Sequence, residues 1–135
     1  MTSRAPVTLP AAVRQAIVRH ARASAPEECC GLLLGTGRRI RFALPMRNVA
    51  ARPRARYRID DKDHLGVRRW VRRVEPPLSI VGVYHSHPAG RARPSARDVA
   101  EAHYPDWMWI IVGRGGAEVA AFAIRSGRVT RLPLE

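Results

Sequence analysis

The sequence predicts an α+β (mixed α/β) domain built on one mixed β-sheet wrapped by helices, and three observations lead there. Segments with apolar residues at helical spacing interleave with short apolar runs of strand length. Glycine-rich hairpin loops, Gly35-Thr36-Gly37-Arg38 and Gly113-Arg114-Gly115-Gly116, lie toward both ends of the chain, a feature a doubly wound parallel sheet lacks. At 135 residues, 46% apolar and 26% charged, the chain has the size and balance of a single globular domain spanning residues 1–135.

The first element is a helix from about Leu9 to Ala23. Pro10 suits a first-turn position, Val13, Ala16, Ile17 and His20 recur at helical spacing, and Ser24-Ala25-Pro26 ends the run. Cys30 to Leu34 and Arg39 to Leu44 then pair across the first glycine loop. An irregular stretch through Arg52-Pro53-Arg54 leads to Tyr57-Arg58-Ile59. Asp60 or Asp61 caps a second helix with an apolar stripe of Val67, Trp70, Val71 and Val74, closed by Glu75-Pro76-Pro77. Its Arg68, Arg69, Arg72 and Arg73 form a solvated face. The run Ser79-Ile80-Val81-Gly82-Val83-Tyr84 reads as a buried strand leading into His85. A helix begins near Ser95, and Trp107 to Val112, Glu118 to Ile124 and Arg128 to Leu132 complete the sheet. Trp107 and Trp109 alternate with Met108 and are expected on opposite sides of the sheet, one of them buried.

Composition excludes several classes. No segment approaches the roughly 18 uninterrupted apolar residues of a membrane span, and Met1-Thr2-Ser3-Arg4-Ala5-Pro6 has no apolar run after its basic residue, so cytoplasmic residence is expected. The only cysteines, Cys29 and Cys30, are adjacent and read as reduced thiols beside the core. Without a C-x-x-C pair there is no structural zinc knuckle and no cytidine-deaminase type of site. The net charge of +13 comes from 24 basic residues, all arginine except Lys62, scattered along the chain. That pattern reads first as the composition of a GC-rich genome and second as a potential that steers an acidic protein. Aromatic residues are too few to form base-stacking platforms, so protein rather than nucleic acid is the expected partner.

The most informative stretch is His85-Ser86-His87-Pro88 followed by Ser95-Ala96-Arg97-Asp98. Residues two apart on an extended segment share a face, so His85 and His87 leave the strand side by side. Two imidazoles and one carboxylate suffice for a catalytic zinc, whose fourth position is left to water. Asp98 is the natural third ligand, eleven residues after His87 and beyond a loop punctuated by Pro88, Gly90 and Pro94. Ser95-x-x-Asp98 is also a capping-box pattern. Capping alone gives no reason for it to follow His-x-His at this distance, and the joint spacing favours metal.

These residues resemble the JAMM motif of the JAMM/MPN+ zinc metalloproteases, in which an upstream Glu precedes H-[ST]-H-P and then Ser and Asp at the spacing seen here. Pro26-Glu27-Glu28-Cys29-Cys30-Gly31-Leu32-Leu33-Leu34-Gly35 is similar to the family's E-x-C-G-[LIV]-L-x-G segment, with the register set by Gly31 and Glu28, rather than Glu27, at the catalytic Glu. The similarity runs in outline from about Val7 to about Arg131 and resembles the short prokaryotic members. It implies the MPN fold, which is cytidine-deaminase-like, and one catalytic Zn²⁺ on His85, His87 and Asp98. It further implies Glu28 as general acid and base, and Ser95 as donor to the oxyanion.

The implied activity is hydrolysis of peptide or isopeptide bonds next to the C-terminal glycines of ubiquitin-like proteins, with a ubiquitin-fold sulfur carrier protein ending in Gly-Gly as the suited substrate. Two alternatives share parts of the pattern. A RadC-like DNA-associated protein carries a similar H-x-H-P and S-x-x-D string and would suit the charge. A non-catalytic MPN scaffold would share the fold without the ligand set. Ser86, Cys29 and Cys30 have no His/Asp pair left to activate them and read as packing residues. His20, His64 and His103 read as isolated, with His103 close enough to the Asp98 helix to lie near the site.

Overall fold

A computed structural model describes residues 5–135; the Met1–Pro6 stretch, expected to lack the apolar run of a leader, falls largely on residues 1–4, outside the described residues. The order is α1 (Ala11–Ser24), β1 (Cys30–Thr36), β2 (Arg39–Met46), α2 (Asp61–Val71), β3 (Ser79–His87), α3 (Ala96–Ala100), β4 (Met108–Gly113), β5 (Glu118–Arg125) and β6 (Arg128–Leu132), with a 3₁₀ turn at Arg114–Gly116. The six strands form one sheet in the order β2-β1-β3-β4-β5-β6. Among the five neighbouring pairs of these strands, β3 and β4 run parallel, joined by the crossover that carries α3, and the other four are antiparallel. This is the expected mixed sheet with hairpins at both ends.

Both faces of the sheet are covered, which is why β3 and β4 read as continuous apolar runs. The period of two sends Ile110 and Val112 to one face, where they pack with Ile17 and Ala21 of α1, Leu33 and Tyr84. It sends Trp109 and Ile111 to the other, with Val83, Phe122 and Ile124, under Tyr57, Ile59, Val99 and Trp107. Val7 pairs with Leu134 while Thr8 pairs with Arg39. Residues 7–9 thus bridge the free edge of β2 to the C-terminal segment, through bonds such as Ile40 N–H to the Thr8 carbonyl at 3.0 Å and Glu135 N–H to the Val7 carbonyl at 2.8 Å.

Three expectations are corrected. Trp107 and Trp109 lie on the same face, as residues two apart on a strand must, with ring centroids 6.4 Å apart. On α2, Asp60 is the cap and accepts from Asp63 N–H, but of the expected stripe only Val71 is buried and Trp70 is 52% exposed. The helix packs on β3, and its one buried residue is Val71 at its end. Nor are two of the histidines isolated. His20 Nδ1 lies 2.7 Å from the Tyr84 hydroxyl, and His64 accepts from Arg68 Nε at 3.1 Å beside Tyr104 and Trp107. Among the described residues, no helix is long and apolar enough to cross a membrane.

Candidate metal centre

The start of β1 and the end of β3 are antiparallel neighbours with Cys30 opposite His85. Carried two residues further, that register sets Glu28 opposite His87. The extension is held by Ser86 N–H to the Cys29 carbonyl at 3.2 Å and by Cys29 N–H to Ser86 Oγ at 2.8 Å. Gly31 is needed here because the Tyr84 ring lies against it: a Cβ would fall 2.1 Å from Tyr84 Cε2 and 2.5 Å from the Leu44 carbonyl. Glu28 is buried, whereas Glu27 is exposed, in keeping with the register set by Gly31. The loop after His87 is pinned in turn. Gly113 lets the backbone at Arg91 and Ala92 approach, Arg114 N–H donates to the Gly90 carbonyl at 2.7 Å, and Ala92 N–H donates to Glu118 Oε1 at 3.2 Å.

Four of the five expected site residues converge as polar atoms. His85 Nε2 and His87 Nε2 are 3.1 Å apart, and each is 3.2 Å from Asp98 Oδ2. Glu28 joins the two histidines with ligand atoms within 4.8 Å of one another, so it stands beside this triangle. His87 Nδ1 is 2.9 Å from the Arg91 carbonyl, which can only accept, so the Nδ1 proton is fixed and Nε2 is turned to the centre. Three atoms carrying lone pairs share such a space only around protons or a cation. A tetrahedral ion with bonds of about 2.0–2.1 Å sets its ligand atoms about 3.3 Å apart, and the observed triangle fits that demand. His85 Nδ1 is buried without a partner among the described residues; the ring is backed instead by Tyr57, stacked at 4.4 Å and 25°.

Ser95 occupies the N-cap of α3 in a complete capping box. Its Oγ accepts from Asp98 N–H at 3.1 Å, and its own N–H donates to Asp98 Oδ2 at 2.8 Å. The two readings of S-x-x-D are therefore both realised, since the capping oxygen is also the one that meets the histidines. With its oxygen engaged as acceptor, the Ser95 hydroxyl keeps a proton to donate into a cleft of about 370 Å³ that Glu28, His87 and Asp98 also line. A second cleft of about 850 Å³, lined by Tyr104, Trp107 and Trp109, shares Arg56, Tyr57 and Glu101 with the first. His103 lies in this second cleft.

The electrostatics follow from burial against pairing. Burial, reinforced by the Asp98 charge and opposed by His87, pushes the Glu28 carboxyl up to about 7. Burial would raise Asp98 as well, but hydrogen bonds from both histidines and Ser95 hold it well below the usual carboxylate range. Burial lowers His85. For His87 burial acts the same way but is outweighed by the bonds to Asp98 and the Arg91 carbonyl, and the ring is moved up. Burial also raises both thiols, Cys30 to about 12, so neither is a ready nucleophile. Asn48 and Tyr57 stand in the sequence in an irregular stretch, with no spacing to mark them.

Comparison with known proteins agrees with the resemblance. Residues 10–126 match the prokaryotic homologues of the JAB domain. The chain is 35% identical to the desampylase of Haloferax volcanii over 120 residues, 84% of this chain and 85% of that protein. It is 35% identical to the CysO-cysteine peptidase of Mycobacterium tuberculosis over 124 residues, 88% of this chain and 83% of that protein. A solution structure of a protein from Desulfitobacterium hafniense superposes with a TM-score of 0.84 at 27% identity, covering 96% of this chain and 91% of that one. On these matches, and on the residues that carry them, the chain belongs to the family of prokaryotic homologues of the JAB domain.

Proposed function

We propose that this chain is a zinc-dependent peptidase and isopeptidase, a single catalytic domain that cuts next to the C-terminal glycines of a ubiquitin-fold or sulfur carrier protein. The observation that carries the reading is the triangle of His85 Nε2, His87 Nε2 and Asp98 Oδ2 with the buried Glu28 beside it. His85, His87 and Asp98 hold the ion. Zinc, when bound, lowers the pKa of a water from about 15.7 toward about 7 and polarises a carbonyl.

Glu28 takes the proton of the attacking water and returns it to the leaving amine, a task suited to a carboxyl whose surroundings set it close to neutrality. Ser95 donates from its hydroxyl to the oxygen that gains negative charge as the carbonyl is attacked. The tail of the carrier lies extended in the cleft that Glu28, Tyr57, His87 and Ser95 line. The basic chain suits an acidic carrier, and two free thiols suit the cytoplasm.

The test is to incubate zinc-loaded protein with a carrier extended past Gly-Gly by an amide-linked residue or lysine conjugate. Cleavage at the glycine that stops with chelator, returns with zinc and is lost in Glu28→Gln supports the reading. Intact carriers, or undiminished cleavage by Glu28→Gln with zinc bound, overturn it.

A further inference from the structure

Residues 47–60, between β2 and α2, contain neither helix nor strand, and one side chain organises them. Asn48 Nδ2 donates to the carbonyls of Glu28 and Arg56, each at 3.0 Å. Its Oδ1 accepts from the N–H groups of Ala50 and Arg58, each at 3.0 Å. A carboxamide has two donor hydrogens and two acceptor lone pairs, so this one is fully used. Carbonyls on one side, with that of Pro53 also in reach at 3.5 Å, and two N–H groups on the other fix which atom is nitrogen.

The partners show what is being joined. Glu28 is bound to this loop at both backbone groups, by its carbonyl to Asn48 and by its N–H to the Pro53 carbonyl at 2.8 Å. The same loop carries Tyr57 onto the face of His85, whose ring has no hydrogen bond at Nδ1 among the described residues. Glu28 precedes β1 and Tyr57 precedes α2, so without a clamp their relative placement would rest on two irregular segments. Asn48 lines neither cleft, and its carboxamide is taken up by backbone groups.

We propose that Asn48 is a positioning residue of the hydrolysis: by tying the Glu28 carbonyl to the 48–58 loop, its carboxamide sets where the Glu28 carboxyl stands relative to the His85, His87 and Asp98 triangle. The inference rests on Glu28 acting as the base. The residue type is specific. Asp would face the carbonyls of Glu28 and Arg56 with an oxygen that only accepts, and Ala would leave all four groups without this partner.

The experiment uses the full chain, zinc-loaded, on the carrier conjugate described above, below each variant's melting temperature and with zinc content measured. In Asn48→Ala and Asn48→Asp, kcat is expected to fall about 10- to 100-fold, the scale of a misplaced catalytic group. KM should stay within roughly threefold, and zinc at one ion per chain, because neither substrate nor metal contacts are removed. Asn48→Ser puts one shorter hydroxyl in place of the carboxamide and serves if the other two fail to fold.

Loosening of the fold is separated from positioning by adding Asn48→Ala to Glu28→Gln. The residual rate should not drop further, since there is no base left to position. Wild-type kcat in a folded, zinc-loaded Asn48 variant overturns the proposal, as does an equal fall in the Glu28→Gln background. Glu28→Gln running at the wild-type rate would instead overturn the base assignment, whatever Asn48 does.

Discussion

Ser95 and Asp98 cap each other, and the aspartate oxygen that Ser95 holds at 2.8 Å through its backbone N–H is the atom that lies 3.2 Å from both histidine nitrogens. Helix initiation and ligand orientation thus use one carboxylate oxygen. The main chain of Ser95 orients Asp98, while its hydroxyl is left for a second task.

Replacing the hydroxyl separates these tasks. In Ser95→Ala the backbone bond to Asp98 remains, so zinc content should be unchanged. The lost cap should cost about 1 kcal/mol, a fall of a few degrees in Tm. Turnover should fall by about 10²–10³, the usual consequence of removing one oxyanion donor. Ser95→Thr should keep both cap and activity. Measured together, zinc content, Tm and kcat distinguish the roles; loss of zinc in Ser95→Ala would mean that the hydroxyl also orients the ligand.

Zinc should stabilise the fold and not only activate it. Three lone-pair atoms within 3.2 Å are poorly matched without a cation. Zinc at a hundredfold excess over its Kd adds about 2.7 kcal/mol, several degrees in Tm for a chain of this size. Asp98→Asn should show little of that gain, because a neutral amide is a weak third ligand. Thermal melts with zinc and with chelator check both statements.

The sheet and the His-x-His pair were legible because both depend on a local period of two. β3 starts with its apolar run and carries the alternation on to His87, β6 has the bounds its spacing predicts, and the side-by-side histidines follow from alternation alone. Asp98 was legible from a capping signal that proved to serve two ends. Glu28 was another matter. Its place beside His87 depends on the register of two strands more than fifty residues apart, which no local pattern encodes, and only the resemblance pointed to it. The α2 stripe misled because helical spacing cannot say how much sheet there is to pack against, and Trp70 remains largely in solvent. Asn48 and Tyr57 escaped notice because their contacts are made across loops, where spacing has no period.

Gly31 should tolerate no side chain. Its neighbours are the Tyr84 ring on one side and the Leu44 carbonyl of an adjacent strand on the other, both closer than 3 Å to where a Cβ would stand. Tyr84 is buried and held through its hydroxyl by His20, so the ring has nowhere to move. Gly31→Ala should destabilise by about 1–3 kcal/mol or more and reduce activity by spreading β1 from β3 just beyond Glu28. Gly37→Ala is the control: it sits at φ 58° in the hairpin loop with open space around it, so its cost is backbone strain far from the metal site. Chemical denaturation gives both stabilities, and a Gly31→Ala protein as stable and active as wild type would contradict the packing described.

Glu28 should make the metal-free protein less stable as pH rises. Burial, with Asp98 adding to it, places the folded pKa at about 7, above the ordinary value of 4.5. A group raised in the folded state contributes its stability below the unfolded pKa, and that contribution is lost as pH climbs through the folded one. Metal-free wild type and Glu28→Gln should therefore melt at similar temperatures near pH 4.5. By pH 8 the wild type should have fallen behind, because it must ionise a buried carboxyl and the amide need not. His85, His87 and Asp98 are present in both proteins, so the difference between the two curves reports Glu28 together with its electrostatic coupling to His87 and Asp98. Bound zinc supplies the missing positive charge and should narrow the gap. Calorimetric melts of the two proteins from pH 4.5 to 8.5, with and without zinc, check the sign; a wild type that gains on Glu28→Gln as pH rises would show the carboxylate to be welcome in the empty site and its burial not to govern its ionisation.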